Sequence, residues 1–131
     1  MYQGECLCGQ IQFEITGVIQ DIVYCHCSQC RKAQGSAFAT NGNVDSADFR
    51  FIKGEKLLTK YKNNEKGDKY FCSTCGSPIM AKFHAKPDTI RIRLGIINND
   101  ITERPEAHIF ATSKANWEKI GDDLPQYEQR N

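Results

Sequence analysis

Short runs of alternating hydrophobic and polar residues, separated by turn-forming residues, occur along most of this chain. In the clearest run, residues 89–94, Ile90 and Ile92 would share one face of a strand. Arg91 and Arg93 alternate with them, so we expect both arginines on a solvent-exposed face, outside any functional site. Such runs predict a mostly β fold. The predicted strands cover residues 10–16, 37–41, 49–53, 57–61, 69–71, 78–83 and 89–94.

Helical patterns are few in this sequence. Residues 27–34 and 113–120 each predict one or two turns of helix, the second beginning at Ser113 as its N-cap. The lysines of residues 60–69 are mixed with Asn, Glu, Gly and Asp, which is typical of a solvated hairpin loop. We therefore expect helix to be a minor component.

The length of 131 residues is typical of one domain, and we expect residues 1–131 to form a single domain. Hydrophobic residues make up 40% and charged residues 25%, both close to globular averages. The chain has neither an apolar run of about 18 residues nor a signal-like start, so we expect a cytoplasmic protein with no membrane partner. The formal net charge of +1 argues against a nucleic-acid partner, because such proteins usually carry a broad basic surface.

Seven cysteines are the unusual feature of the composition. An odd number leaves one cysteine unpaired in a disulfide framework, and disulfides rarely persist in a reducing compartment. Metal ligation explains these cysteines better. They occur in three groups: Cys6 and Cys8, then Cys25, Cys27 and Cys30, then Cys72 and Cys75.

The spacing of the three groups allows two arrangements of metal ligands. The third group is a Cys-x-x-Cys turn, which brings two thiolates to one tetrahedral ion. Its partner could be Cys27 and Cys30 of the middle group, as in a zinc ribbon, and three cysteines would then be unused. A redox dithiol formed by the same two residues is a further interpretation.

In the other arrangement the partner is the first group, where residues i and i+2 of an extended segment point to the same side. The middle group is then a separate set of three donors, and every cysteine is used. Four protein donors are typical of a structural zinc, whereas three are typical of a zinc that can bind water or substrate.

Four motifs around these groups resemble the glutathione-dependent formaldehyde-activating enzyme family, which shares its domain with centromere protein V. The resemblance extends over nearly the whole chain. The motifs are residues 4–9 (Gly-Glu-Cys-Leu-Cys-Gly), residues 25–32 (Cys-His-Cys-Ser-Gln-Cys-Arg-Lys), residues 71–77 (Phe-Cys-Ser-Thr-Cys-Gly-Ser), and a tail with His108-Ile109-Phe110, Ser113-Lys114, Trp117 and Leu124-Pro125.

The resemblance implies a mostly β single domain of small antiparallel sheets in a tent-like arrangement, pinned by a four-cysteine zinc site. It implies two zinc ions per chain, with partial occupancy allowed at the second. The implied ligands of the structural zinc are Cys6, Cys8, Cys72 and Cys75, and those of the catalytic zinc are Cys25, Cys27 and Cys30.

The activity implied by the resemblance joins glutathione and formaldehyde into S-hydroxymethylglutathione, a carbon–sulfur lyase reaction. A zinc with three thiolates and an open position suits this reaction, because it can bind a thiol and lower its pKa. The expected partners are glutathione or a similar thiol, and formaldehyde or another small electrophile. The alternative is a non-catalytic zinc-binding interaction module resembling centromere protein V. The near-neutral charge and the lack of a Lys/Arg-rich arm favour the enzyme.

Other polar residues near the motifs are expected to lie outside the chemistry. His26 stands between two implied ligands, but in an extended segment it would point away from them. His108 and Trp117 are expected to pack the tail onto the core. Arg31 and Lys32 could hold a carboxylate of glutathione, although a solvated surface is the favoured interpretation for both.

Overall fold

The computed structural model of the chain describes residues 1–130, so Asn131, the last residue of the expected domain, lies outside the described residues. Within them, strands are the dominant element, as the alternating pattern predicts. The strands are β1 (Tyr2–Glu5), β2 (Gln12–Ile15), β3 (Gln20–Cys25), β4 (Ala39–Asp45), β5 (Phe49–Lys53), β6 (Leu58–Asn64), β7 (Gly67–Cys72), β8 (Pro78–Phe83), β9 (Thr89–Arg93) and β10 (Ala107–Ile109), and the α-helix is α1 (Ser28–Gln34).

The strands form two sheets of unequal size. The small sheet has three strands in the order β1-β2-β5, all antiparallel. The large sheet has seven strands in the order β10-β3-β4-β9-β8-β7-β6. Its pairs are antiparallel except for β3 and β10, which run parallel at one edge. The mostly β prediction is confirmed, and the parallel edge pair is the departure from the antiparallel sheets that were expected.

All seven predicted strands overlap an observed strand, and two have the predicted bounds, β5 (Phe49–Lys53) and β8 (Pro78–Phe83). The helix predicted at residues 27–34 is α1, with Cys27 as its N-cap. Three strands, β1, β3 and β10, were not predicted. In β10 all three residues are buried, so this strand has no alternating pattern to detect.

The helix predicted at residues 113–120 is wrong. The chain there makes only a 3-10 turn at Ala111–Ser113 and then continues without regular structure. The Lys114 ammonium donates to the backbone oxygens of Ala115 and Glu118, at 3.3 Å and 2.5 Å, and so takes the place of helical hydrogen bonds. Trp117 is 70% exposed, so the expectation that it packs onto the core is also wrong.

The solvated loop predicted at residues 60–69 is a hairpin, but its strands are longer than expected. Strand β6 continues to Asn64 and β7 begins at Gly67. The Asn64 side chain accepts from the backbone N–H groups of Lys66 and Gly67, at 2.8 Å and 3.2 Å, and closes the turn. An Asx-type turn of this kind needs only a few residues between strands.

The main hydrophobic core joins the two sheets. Phe13 and Ile15 of the small sheet and Ile22, Ile90 and Ile92 of the large sheet belong to one buried cluster. A smaller cluster lies on the opposite face of the large sheet, where α1 packs. None of the helices among residues 1–130 is long and apolar enough to cross a membrane.

Truncating the core should weaken the packing between the sheets. Ile92 is fully buried, so Ile92→Ala is expected to lower the free energy of unfolding by about 2–5 kcal/mol through lost burial and a residual cavity. Ile52 is 46% exposed on β5, and the matched control Ile52→Ala should lower the free energy of unfolding by less than about 1 kcal/mol. Chemical denaturation measures both, and equal losses would contradict the assigned core.

Candidate metal centres

The cysteines gather into two separate clusters in which the sulfur atoms lie within 4.8 Å of one another. Each cluster could therefore hold a metal ion. Cys27 and Cys30 lie with Cys25 and not with the Cys-x-x-Cys turn of residues 72–75, so the zinc-ribbon arrangement is wrong. The four-cysteine cluster consists of Cys6, Cys8, Cys72 and Cys75, and the three-cysteine cluster of Cys25, Cys27 and Cys30.

The four-cysteine cluster has the dimensions of a tetrahedral thiolate site. The Cys6 and Cys8 sulfurs are 3.5 Å apart, and the Cys8 and Cys72 sulfurs 3.9 Å. Four sulfurs bonded at ~2.3 Å to one tetrahedral ion would be about 3.8 Å apart. The sulfurs are thus already gathered at ligand spacing.

Two tight turns present these sulfurs. Gly9 follows the first cysteine pair and Gly76 the second, with φ angles of 78° and 80° that suit glycine. Their backbone N–H groups donate to the carbonyls of Cys6 and Cys72, at 3.0 Å and 2.8 Å. Each turn therefore folds the chain back beside its own sulfurs.

Hydrogen-bond donors surround the sulfurs of this cluster. The backbone N–H of Ile11 donates to the Cys6 sulfur at 3.3 Å, and that of Thr74 donates to Cys72 at 3.4 Å. The Cys75 thiol donates to the Ser77 hydroxyl oxygen at 3.4 Å, and hydrogen bonding with the Ser77 side chain and backbone lowers the pKa of Cys75 to about 5. Donors of this kind stabilise thiolates, the form in which cysteine binds metals.

The three-cysteine cluster lies at the junction of β3 and α1. Cys25 ends β3, Cys27 caps α1, and the backbone N–H of Cys30 donates to the Cys27 sulfur at 3.3 Å. Cys25 and Cys30 are buried, whereas Cys27 is half-buried. Hydrogen bonds from the Cys25 and Cys30 thiols lower the pKa of Cys27 to about 2. Among residues 1–130 no His, Asp or Glu joins these sulfurs as a fourth ligand.

Arg91 and Arg93 do not lie on a solvent-exposed face, so that expectation is wrong. Arg93 is only 4% exposed, and Arg91 is half-buried. The strand alternates as predicted, but its arginine face is covered, because α1 and the three-cysteine cluster lie on that side of the large sheet. Period-two alternation shows which residues share a face and not what covers that face.

A hydrogen-bonded chain of two buried histidines and the exposed Asp122 supports the three-cysteine cluster from behind. His26 is fully buried, and its Nε2 lies 2.8 Å from Nδ1 of His108. His108 Nε2 lies 2.9 Å from the Asp122 carboxylate, and this hydrogen bond lowers the pKa of Asp122. The carboxylate can only accept, so His108 donates to Asp122 and accepts from His26. The chain fixes the peptide between Cys25 and Cys27.

The remaining residues near the motifs divide between surface and cleft. Lys32 is exposed and Arg31 is half-buried. A cleft of about 210 Å³ at the C-terminal end of α1 is lined in part by Gln34, Ser36 and Arg93. Sequence reasoning missed Gln34, which belongs to no cysteine motif, and it placed Arg93 outside the site because the arginine face of the strand was expected to be exposed.

Comparisons with known proteins agree with this geometry. The model of the family described as "Glutathione-dependent formaldehyde-activating enzyme" matches residues 1–113. A Halomonas elongata protein that is provisionally named as this enzyme is 28% identical, over 92% of this chain and 81% of that protein. The crystal structure of a Rhodobacter sphaeroides protein is similar with a TM-score of 0.64 and 25% identity, over 76% of this chain and 91% of the other.

Breaking the buried histidine chain should destabilise the protein. His108→Ala leaves the His26 Nε2 donor buried without a partner and opens a cavity, so we expect the free energy of unfolding to fall by about 3 kcal/mol. His84 has a side chain that is 58% exposed, and His84→Ala should lower the free energy of unfolding by less than about 1 kcal/mol. Denaturation of both variants measures the difference, and a neutral His108→Ala would refute the supporting role.

Proposed function

Because this chain belongs to the glutathione-dependent formaldehyde-activating enzyme family, we propose that it is a zinc-dependent enzyme adding a glutathione-like thiol to formaldehyde or another small electrophile. With glutathione and formaldehyde the product is S-hydroxymethylglutathione, and the class is carbon–sulfur lyase. The observation that carries the proposal is the three-cysteine cluster, a set of three donors separate from the four-cysteine cluster. We further propose that residues 1–131 act as a single domain in the cytoplasm, where thiolates stay reduced.

The donor chemistry of both clusters fits zinc. Zinc prefers thiolate and imidazole ligands in tetrahedral sites, and each cluster offers thiolates only. In the four-cysteine cluster, a complete set of protein donors suits a structural ion. In the three-cysteine cluster, three protein donors leave one ligand position for a substrate. We assign the structural zinc to the first cluster and the catalytic zinc to the second.

The surroundings of the three-cysteine cluster suit thiol chemistry. A zinc ion bound there would supply the positive charge that lowers the pKa of an incoming thiol. Cys25 and Cys30 are buried on the core side, whereas Cys27 is half-buried and leaves an approach for substrate. The hydrogen-bonded His26 and His108 keep the ligand segment in place from the opposite side.

The proposed reaction balances without a redox partner. The glutathione sulfur, having lost its proton, donates an electron pair to the carbonyl carbon of formaldehyde and forms the carbon–sulfur bond. The carbonyl π pair moves to oxygen, which takes up one proton and becomes the hydroxyl of the adduct. Thiol and aldehyde thus combine with no leaving group, so the protein must orient the thiol and stabilise its anionic form.

The direct test is the rate of adduct formation above the uncatalysed rate. Exchange NMR with ¹³C-formaldehyde and glutathione measures this rate for wild type and for Cys25→Ser/Cys27→Ser. We expect acceleration by wild type and none by the double variant, which lacks two of the three donors. Ser28→Ala changes an exposed, non-ligating residue of α1 and should keep the acceleration. If wild type does not accelerate the reaction, the enzymatic proposal fails and the interaction-module alternative gains support.

The two clusters should respond differently to the loss of a ligand. Cys72→Ser removes a donor of the structural zinc, whose binding is worth on the order of 10 kcal/mol in small domains, so we expect this variant to unfold. Cys27→Ser should stay folded with one zinc in place of two, because its half-buried side chain contributes little to the core. Elemental analysis and thermal melting measure both effects. An unchanged melt of Cys72→Ser, or an unfolded Cys27→Ser, would refute the division.

A further inference from the structure

Three cationic side chains and the Cys25 thiol lie on one face of the large sheet. The register pairs Lys69 with Ala81 and Ala81 with Arg91, and directly paired residues share a face. Arg93 lies two residues from Arg91 and pairs with Asn41 on β4. Asn41 lies two residues from Ala39, which pairs with Cys25. Two strands, β7 and β9, therefore bring positive charge to the side of the sheet that carries the three-cysteine cluster.

These cations have no carboxylate partner. The ion pairs of residues 1–130 do not include Lys69, Arg91 or Arg93. Arg91 donates to the side-chain oxygen of Asn43 at 2.9 Å, and Arg93 donates to that of Asn41, so the direct partner of each is a neutral amide. The nearest carboxylate to Arg91, that of the exposed Asp21, is reached only through Asn43. Burial lowers the pKa of Arg93, and the nearby Cys30 sulfur opposes this shift. An uncompensated buried charge is costly, so this face needs negative charge.

The three-cysteine cluster would compensate only part of this positive charge. Three thiolates around one Zn²⁺ carry one net negative charge, against three positive charges on the sheet. A ligand that approaches the cluster therefore meets a sheet face with an excess of positive charge. Anionic ligands are favoured there over neutral or cationic ones.

The cleft beside α1 also contains hydrogen-bond donors without partners. Both Arg93 Nε and Gln34 Nε2 are buried without a hydrogen-bond partner, and both residues line the cleft. A buried donor without a partner costs about 1–3 kcal/mol, which an acceptor on a ligand would recover. Arg93 itself is only 4% exposed, so its guanidinium is held in place by the surrounding protein.

The cleft lies about one helical turn from the three-cysteine cluster. Gln34 follows Cys30 by four residues in α1, so the two side chains project from the same side of the helix. Four residues of helix span about 6 Å. A small peptide-like molecule with its sulfur at the cluster would reach the cleft with its other end.

We propose that the cleft binds a carboxylate of the substrate thiol, with Arg93 and Gln34 as its donors and Lys69 and Arg91 as the surrounding positive field. The site thus selects thiols that carry a carboxylate a few bonds from sulfur, such as glutathione. This inference rests on the proposed function for the position of the thiol sulfur. The charge, the unpartnered donors and the cleft are independent of it.

Calorimetry on the full-length, zinc-loaded protein tests the cleft without any turnover. The probe is S-methylglutathione, which keeps both carboxylates of glutathione but has no free thiol. We expect saturable binding to wild type and a Kd raised about 10-fold to 100-fold in Arg93→Lys, which keeps the charge but loses the planar donor fork. Gln34→Ala should raise Kd about 10-fold. The control Arg50→Gln, which removes the ion pair with Glu14 on the small sheet, should leave Kd unchanged.

Each result supports or overturns the proposal that the cleft binds a carboxylate of the thiol. Absence of binding to wild type, or the same Kd in wild type and in both cleft variants, overturns it. If Arg93→Lys does not fold, as shown by its thermal melt, Gln34→Ala decides alone, because Gln34 lies at the partly exposed end of α1. A Kd that rises equally in the Arg50→Gln control also overturns it, since the effect would then be a general loss of positive charge.

Cysteamine, a thiol without a carboxylate, separates this inference from the proposed function. If wild type accelerates formaldehyde addition equally with cysteamine and glutathione, the reaction stands and the cleft proposal fails. If S-methylglutathione binding depends on Arg93 but no thiol reacts faster with formaldehyde, the cleft stands and the proposed function fails.

Discussion

Four cysteine sulfurs from distant parts of the chain meet where the small sheet and the large sheet join. Cys6 follows β1 of the small sheet, and Cys72 ends β7 of the large sheet. Both residues are also part of the main hydrophobic cluster, so the sulfur site and the apolar core share one boundary. The hydrogen bond from Leu7 N–H to Ser77 Oγ, at 2.8 Å, links the two cysteine turns directly. This junction sets the position of the two sheets relative to each other. It therefore also sets the position of the three-cysteine cluster, which lies on the far side of the large sheet.

The two cysteine clusters differ in the structure around them. The four-cysteine cluster lies between two turns, each closed by a glycine, so the backbone can bring every donor to one point. The three-cysteine cluster is built from a strand end and the cap of a short helix, and it faces a sheet surface rich in positive charge. The same ligand atom therefore occurs in a set of four donors between two turns and in a set of three donors beside positive charge.

Much of the architecture could be predicted from the sequence because alternation and cysteine spacing are local signals. Strands β5 and β8 and the helix that carries Cys30 lie where the sequence predicts them. The burial of Arg93 could not be predicted, because it depends on α1 and the three-cysteine cluster lying on the same side of the sheet as a strand almost sixty residues later in the chain. The hydrogen bonds that join His26, His108 and Asp122 could not be predicted either. They depend on the parallel pairing of β10 with β3, and β10 has three buried residues and therefore no alternating pattern in the sequence.

The parallel pairing of β10 with β3 has a consequence for biosynthesis. The segment with Cys25, Cys27 and Cys30 is synthesised well before its supporting residues His108 and Asp122. At a synthesis rate of about 5–20 residues per second, roughly 5 to 20 seconds pass between the synthesis of these cysteines and that of their supporting residues. During that interval the three thiols lack the buried histidine support that they have in the folded protein. The interval ends when β10 pairs with β3 as the edge strand beside them.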